Sequence, residues 1–309
     1  MSRSRRTARA EQAPAPRGVK ALFFREAGGL RTPWLLLVSL AALALATTAL
    51  QTGLNAIFDA LFRAWNLRAD NVMYAPGWAR ALYAWRGSLI ALLSGAALIA
   101  LCPPLRRLWG ARDVWKDAGS RWYLLALTGF AAALLVALLS LIPDSSRLEW
   151  PLSAPRFTAA LPLLGAFGLV GVLAEERFVR GVLLDGLAPR WGRAPAIAIA
   201  CAVFFVLRSG WSGGPVYALN ALLLGLCGCL LYERAGLWAS ALFRWCLEAC
   251  CAFLLGFGGG DAAVYRLYGV SETLLTGGDR GPLYGLWLSL MLAALALWTA
   301  RRRCSGCKG

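Results

Sequence analysis

Across 309 residues, 59% of side chains are hydrophobic and only 16% are charged, which excludes an ordinary soluble domain and fits one compact polytopic membrane domain. The formal charge of +16 is spread by loop and not gathered into one patch, so no nucleic-acid partner is expected. There is no histidine, and the nine cysteines form no disulfide framework, so neither a metal nor a cofactor is expected.

In chain order, residues 1–33 are rich in Arg, Ala and Pro and read as a basic, disordered cytoplasmic tail. Ser4-Arg5-Arg6 faintly resembles a twin-arginine signal, but the apolar segment follows too late, so the first span is expected to stay uncleaved. Apolar stretches at about 34–51, 82–101, 122–142, 160–184, 194–209, 216–232, 237–257 and 283–300 are long enough, or nearly so, to cross a bilayer core of roughly 30 Å. The fifth is the short one. The prediction is all-α: a polytopic membrane helix bundle of about eight transmembrane helices. It divides into N-terminal spans over 34–150, a core over 151–300 and a second basic tail over 301–309.

Between the first two spans, Leu54, Ile57, Phe58, Leu61, Phe62 and Trp65 have helical spacing. They predict an amphipathic helix on the outer membrane surface, or one packed on the bundle rim. The glycine-rich stretch 258–282 is expected to cap the outer face. Trp34, Trp122, Trp211, Trp238 and Trp298 fall near span ends as interfacial anchors. Cys304-Ser305-Gly306-Cys307 has CxxC spacing, but it stands in a basic tail without a second pair and is read as acylated or idle.

Counted by loop, twenty Lys and Arg fall on the side of the two termini, eight on the other side and four inside spans. The positive-inside rule then predicts both termini cytoplasmic; the expected location is the inner (plasma) membrane, multi-pass, with membrane lipids as partners. Lys20, Lys116 and Lys308 are the chain's three lysines, and such an Arg-rich composition suits a high-GC bacterial source.

Charges inside spans carry the functional signal, because each costs roughly 2.5–3.5 kcal/mol on insertion scales. Glu175-Glu176-Arg177-Phe178-Val179-Arg180-Gly181 interrupts the fourth span, Arg208 lies near the end of the fifth, and Arg244 with Glu248 lies in the seventh. Glu176 and Arg180 share a helix face, as do Arg244 and Glu248. With Arg177 set aside as able to snorkel to the cytoplasm, three acids meet three arginines. The simplest arrangement pairs Glu175 with Arg208 across helices. Boundary counting puts Arg208 and Arg244 toward opposite ends of their helices, so convergence is not given by the sequence. Gly165, Gly168 and Gly171 are read as allowing close helix packing, and Asn220 as satisfying a neighbouring backbone.

Glu-Glu-x-x-x-Arg-Gly resembles the first motif of the CPBP family of intramembrane glutamic proteases, which includes the CAAX prenyl endopeptidases and bacteriocin-processing (Abi) proteins. Phe204 through Arg208 resembles the family's Phe-x-x-x-His motif. Tyr232-Glu233-Arg234-Ala235-Gly236-Leu237-Trp238-Ala239-Ser240 resembles the run into its last motif, and Arg244 to Glu248 takes the place of His-x-x-x-Asn/Asp. The resemblance covers about 160–255. It implies a site of Glu175, Glu176, Arg180, Arg208, Arg244 and Glu248, in which Glu175 activates water while the later motifs orient it and stabilise the oxyanion. Both histidine positions hold arginine here, and the Asn/Asp position holds Glu248. Arginine cannot exchange protons during turnover. It can hold an oxyanion, but it also locks Glu175 in an ion pair and fills space that water needs.

Four functional expectations follow. One is a degenerate, non-catalytic homologue that keeps a core for a membrane-anchored or C-terminal peptide. Another is an active endopeptidase with Glu175 as general base and arginine at the oxyanion. A third is a transporter or lipid-handling protein, and the last a purely structural bundle in which the charges fix helix register.

Overall fold

The computed structural model describes residues 30–67, 74, 76–110, 122–141, 161–208, 212–257, 264–265 and 274–304. Among them are eight α-helices and no β-strand, as predicted. They are α1 (Thr32–Ala64), α2 (Gly77–Leu108), α3 (Trp122–Leu141), α4 (Leu161–Glu176), α5 (Asp185–Trp191), α6 (Arg193–Leu207), α7 (Pro215–Ala249) and α8 (Leu286–Cys304). Thr32–Ala64, Trp85–Leu108 and Pro215–Leu254 are long and apolar enough to cross a membrane, and shorter apolar helices cover Leu127–Leu139, Arg193–Leu207 and Leu286–Arg301. Helix is what such runs must form in hydrocarbon, where no water satisfies the backbone. Leu127, Leu138, Leu290 and Leu297 stay exposed, as lipid-facing side chains would.

By packing, the chain divides into two units, up to Leu45 and from Ala46 onward. Of the first unit, the described part is the leading half of α1. The disordered tail expected over 1–33 falls almost wholly outside the described residues, as do Trp211, Ser305–Gly309 and most of 258–273.

The separate surface helix expected after residue 51 is not formed. α1 runs without interruption to Ala64, because no proline interrupts it and the isolated Gly53 does not stop a helix. It ends instead at Asn66, whose φ of 52° and the bonds Leu67 N–H to Phe62 O and Asn66 N–H to Arg63 O close the last turn. Its apolar stripe packs on the start of α2, with Phe62 and Tyr83 rings 5.1 Å apart and Arg86 held by Asp59 at 2.7 Å and Asn55 Oδ1 at 2.7 Å. Rim packing is the reading that holds.

The predicted sixth and seventh spans are the two arms of α7. Gly236 separates them with φ 85° and ψ −176°, backbone open in practice to glycine alone. Contacts at the ends give their direction. Arg193 at the start of α6 pairs with Glu233 near the break, while Arg208 at the far end of α6 meets both Tyr217, early in the first arm, and Glu248, late in the second. The arms therefore run antiparallel, folded back at Gly236. α8 lies parallel to the first arm, and so antiparallel to the second, through Ser289 to Asn220, Leu292 to Cys227 and Trp298 to Arg234. Asn220 does satisfy backbone: it is fully buried, donates to Leu283 O and Gly285 O, and accepts from Ser289.

The glycines of α4 play the packing role assigned to them. Gly165 and Gly168 face the Trp245 indole, which also donates to Gly165 O at 2.9 Å, and Gly171 is met by Gly95 of α2.

Candidate functional site

α4 delivers Glu175 and Glu176 in its last turn and then widens into π-helix over Arg177–Leu184, every residue of which is buried. The Asp185 N–H reaches back five residues to Arg180 O. Such single π turns recur at functional sites. The chain then continues through α5 to Gly192, so helical structure outlasts the predicted span end at 184.

The fold-back at Gly236 resolves the depth conflict. Because the second arm returns toward the end of α6, Glu248 arrives beside Arg208, and one turn earlier Arg244 lies beside α4. All six predicted residues meet in one network. Arg244 donates to Glu175 Oε2 at 2.5 Å, to Glu176 Oε1 at 3.2 Å and to Glu248 Oε1 at 2.9 Å. Arg180 donates to Glu176 Oε1 at 2.7 Å and to Gly225 O at 3.2 Å. Arg208 donates to Glu248 Oε1 at 2.6 Å.

The expected pairing is corrected in one respect. Arg208 goes to Glu248, and Glu175 goes to Arg244, because Arg244 stands between them with a fork that spans three carboxylates. Arg177 is also corrected. It does not snorkel to the surface but is buried.

Depth within the network is graded. Glu176, Arg180 and Arg244 are closed off, whereas the side chains of Glu175, Glu248 and Arg208 stay 28%, 21% and 24% exposed. Glu176 Oε2 and Arg180 Nε have no hydrogen-bond partner in the protein. They are a buried acceptor and donor left over by geometry that satisfies everything around them.

Sequence reasoning did not count Phe204, Gly225 and Gly228 as site residues. Phe204 is fully buried, and the guanidinium carbons of Arg180 and Arg244 both lie 4.8 Å from its ring centre. Gly228 leaves room for Arg180: a Cβ there would fall 2.2 Å from Nη2. The one available signal was positional, since Phe204 opens the Phe-x-x-x-Arg string that ends at Arg208.

Beyond Arg208 and Glu248 lies a cavity of 230 Å³, walled by Leu247, Phe257, Leu283 and Leu288 and bearing Arg280 at its rim. The Tyr217 hydroxyl donates to Arg208 O, closing the end of α6, and its ring stacks on Tyr284 at 4.8 Å. At the opposite end of the bundle, Asp185 accepts from the Tyr232 hydroxyl at 2.6 Å, Arg190 donates to Trp109 O at 2.6 Å, and Arg193 pairs with Glu233. Among the described residues no cluster of Cys, Asp or Glu is arranged to hold a metal ion.

An all-α membrane protein whose buried acids and arginines converge from three helices is the class that fold and site define. Residues 157–250, about a third of the chain, match the family model described as Rce1-like, Type II CAAX prenyl endopeptidase Rce1-like, consistent with a CPBP family member. Over that segment the chain is similar to the CAAX-type endopeptidases, which supports a CAAX-protease-like membrane protein. No curated protein and no solved structure matched it. The matched segment contains every one of the six network residues.

Proposed function

We infer that this protein is a non-catalytic homologue of the CAAX-type endopeptidases, a pseudoenzyme of a bacterial inner membrane. The observation that carries this is Arg244, which bonds Glu175, Glu176 and Glu248 at once. A carboxylate that is to take a proton from water must present a free lone pair to it. Here Glu175 Oε2 is spent on a guanidinium, and the bulk of Arg244 stands where a smaller imidazole would leave room. The six charges cancel, as a dry interior requires. The partly exposed Glu175 face is where a membrane-anchored or C-terminal peptide would be held.

The endopeptidase reading has one observation in its favour: Glu175 keeps part of its side chain open to solvent, and Oε1 is outside the ion pair. Arg244 would then hold the oxyanion. Topology with both termini cytoplasmic is supported by Arg106, Arg107, Arg190, Arg193, Arg234 and Arg301, which fall at one end of the bundle.

The test is incubation of full-length protein in liposomes with a panel of membrane-anchored peptides, comparing wild type with Glu175→Gln and Arg208→Ala. Absence of cleavage, together with a loss of thermal stability in Glu175→Gln, is expected. Cleavage by wild type that Glu175→Gln abolishes would establish a glutamic protease and end the non-catalytic reading.

A further inference from the structure

The cavity beyond Arg208 has a composition that the ion-pair network does not explain. Three acids and three arginines of the network cancel. Arg280, at the rim, makes no ion pair among the described residues, and its guanidinium lies 5.8 Å from the Tyr284 ring centre. Among the described residues, then, the lining holds one cation outside any ion pair, Arg280, together with Arg208.

Behind that charge, the Cys251 thiol apart, the wall is apolar: Leu247, Ala252, Phe257, Pro282, Leu283 and Leu288. Glu248 shares the wall, but its Oε1 is already taken by two guanidiniums. A peptide lying there would need donors and acceptors for each of its amides, and the lining side chains offer only these charged groups and the weakly bonding Cys251 thiol. An acyl chain needs none. At 230 Å³ the space is below the roughly 300–1,000 Å³ of sites that enclose a whole drug-sized ligand. It takes a head and the first part of a chain, with the remainder in the bilayer.

We propose that this cavity binds a fatty-acid-like amphiphile, its carboxylate between Arg208 and Arg280 and its chain along Leu247, Leu283 and Leu288. Glu175 is not part of the lining, so the assignment stands whether or not the Glu175 face holds or cleaves a peptide. A carboxylate bridging two guanidiniums forms charge-assisted bonds that an alcohol cannot.

The experiment is equilibrium binding of radiolabelled dodecanoate to full-length protein in phosphatidylcholine nanodiscs, with empty nanodiscs subtracted. Competitors are dodecanol, acetate and an N-acetylated tetrapeptide with a free carboxylate. Saturable one-to-one binding is expected, with dodecanol and acetate each weaker by about tenfold or more, as loss of a charged hydrogen bond or of the apolar contact implies. Arg280→Ala, an exposed residue outside the network, should weaken dodecanoate by about tenfold while leaving the melting temperature unchanged. Leu283→Trp should fill the wall and abolish binding. Equal competition by dodecanol, unaltered affinity in Arg280→Ala, or displacement by the peptide in preference to dodecanol would each overturn the proposal.

Discussion

Arg244→Met is the sharpest perturbation of the network, because methionine keeps the apolar length of the side chain and removes only the guanidinium. Breaking a buried ion pair by deleting one partner costs roughly 3–5 kcal/mol. The structure places the cost at the lower end. Glu176 retains Arg180 at 2.7 Å and Glu248 retains Arg208 at 2.6 Å, while Glu175, which loses its ion-pair partner, is 28% exposed and can rehydrate. The expectation is about 3 kcal/mol, read by sodium dodecyl sulfate unfolding in mixed micelles followed by circular dichroism. The diagnostic partner is Glu175→Gln. Alone it leaves Arg244 with a surplus charge and costs roughly 1–3 kcal/mol, but in the Arg244→Met background it restores neutrality and should cost well under 1 kcal/mol. Strict additivity of the two changes, or a cost for Arg244→Met below about 1 kcal/mol, would refute the account of a balanced, buried network.

Other sites give independent checks. Gly228→Ala drives a methyl to 2.2 Å from Arg180 Nη2, and since Arg180 is fully buried a loss of roughly 1–3 kcal/mol is expected in the same unfolding assay. Gly236→Ala forces a Cβ into a backbone region that costs about 1–3 kcal/mol, and limited proteolysis should then cut at the fold-back between the arms of α7. Asn220→Leu leaves Leu283 O, Gly285 O and the Ser289 hydroxyl without their partner; a loss of roughly 1–3 kcal/mol is expected, with faster amide exchange confined to residues 283–289.

The order of helices could be read from the sequence because each apolar run is bounded by charges or glycine. The break expected between 216–232 and 237–257 is where the chain folds back, and the motif strings named all six residues that meet. What could not be read was their partnership. Spacing along one helix gives Glu176 with Arg180 and Arg244 with Glu248, both present. Across helices, the choice between Arg208 and Arg244 for Glu175 depends on how far the second arm of α7 returns, a tertiary quantity no local pattern encodes. Helix ends misled in the same way. The run after residue 51 looks like a new amphipathic helix, yet nothing in it terminates α1, and packing on Tyr83 and Arg86 draws it out to Ala64. Phe204 stayed hidden because an aromatic in an apolar run looks like core until two guanidiniums are found over it.

The chemistry of the centre follows from what it lacks as much as from what it holds. General acid–base catalysis needs a group that gains and loses a proton near the working pH, the role for which imidazole is suited. The chain has no histidine, and the six charged side chains of the network are three carboxylates and three guanidiniums. Guanidinium holds its proton throughout. Hydrolysis here would thus require Glu175 to take the proton of water and later return it to the leaving amine, while bonded to Arg244. An arginine where the resembled motif has histidine offers no proton carrier and brings a permanent charge. The charge has to be matched, and Glu248, standing where the motif has Asn or Asp, accepts from both Arg208 and Arg244 through one oxygen. On the non-catalytic reading proposed above, the three departures from the motif are one electrostatic change: charges that a proton-moving site would not carry are matched with one another across the helices that bear them.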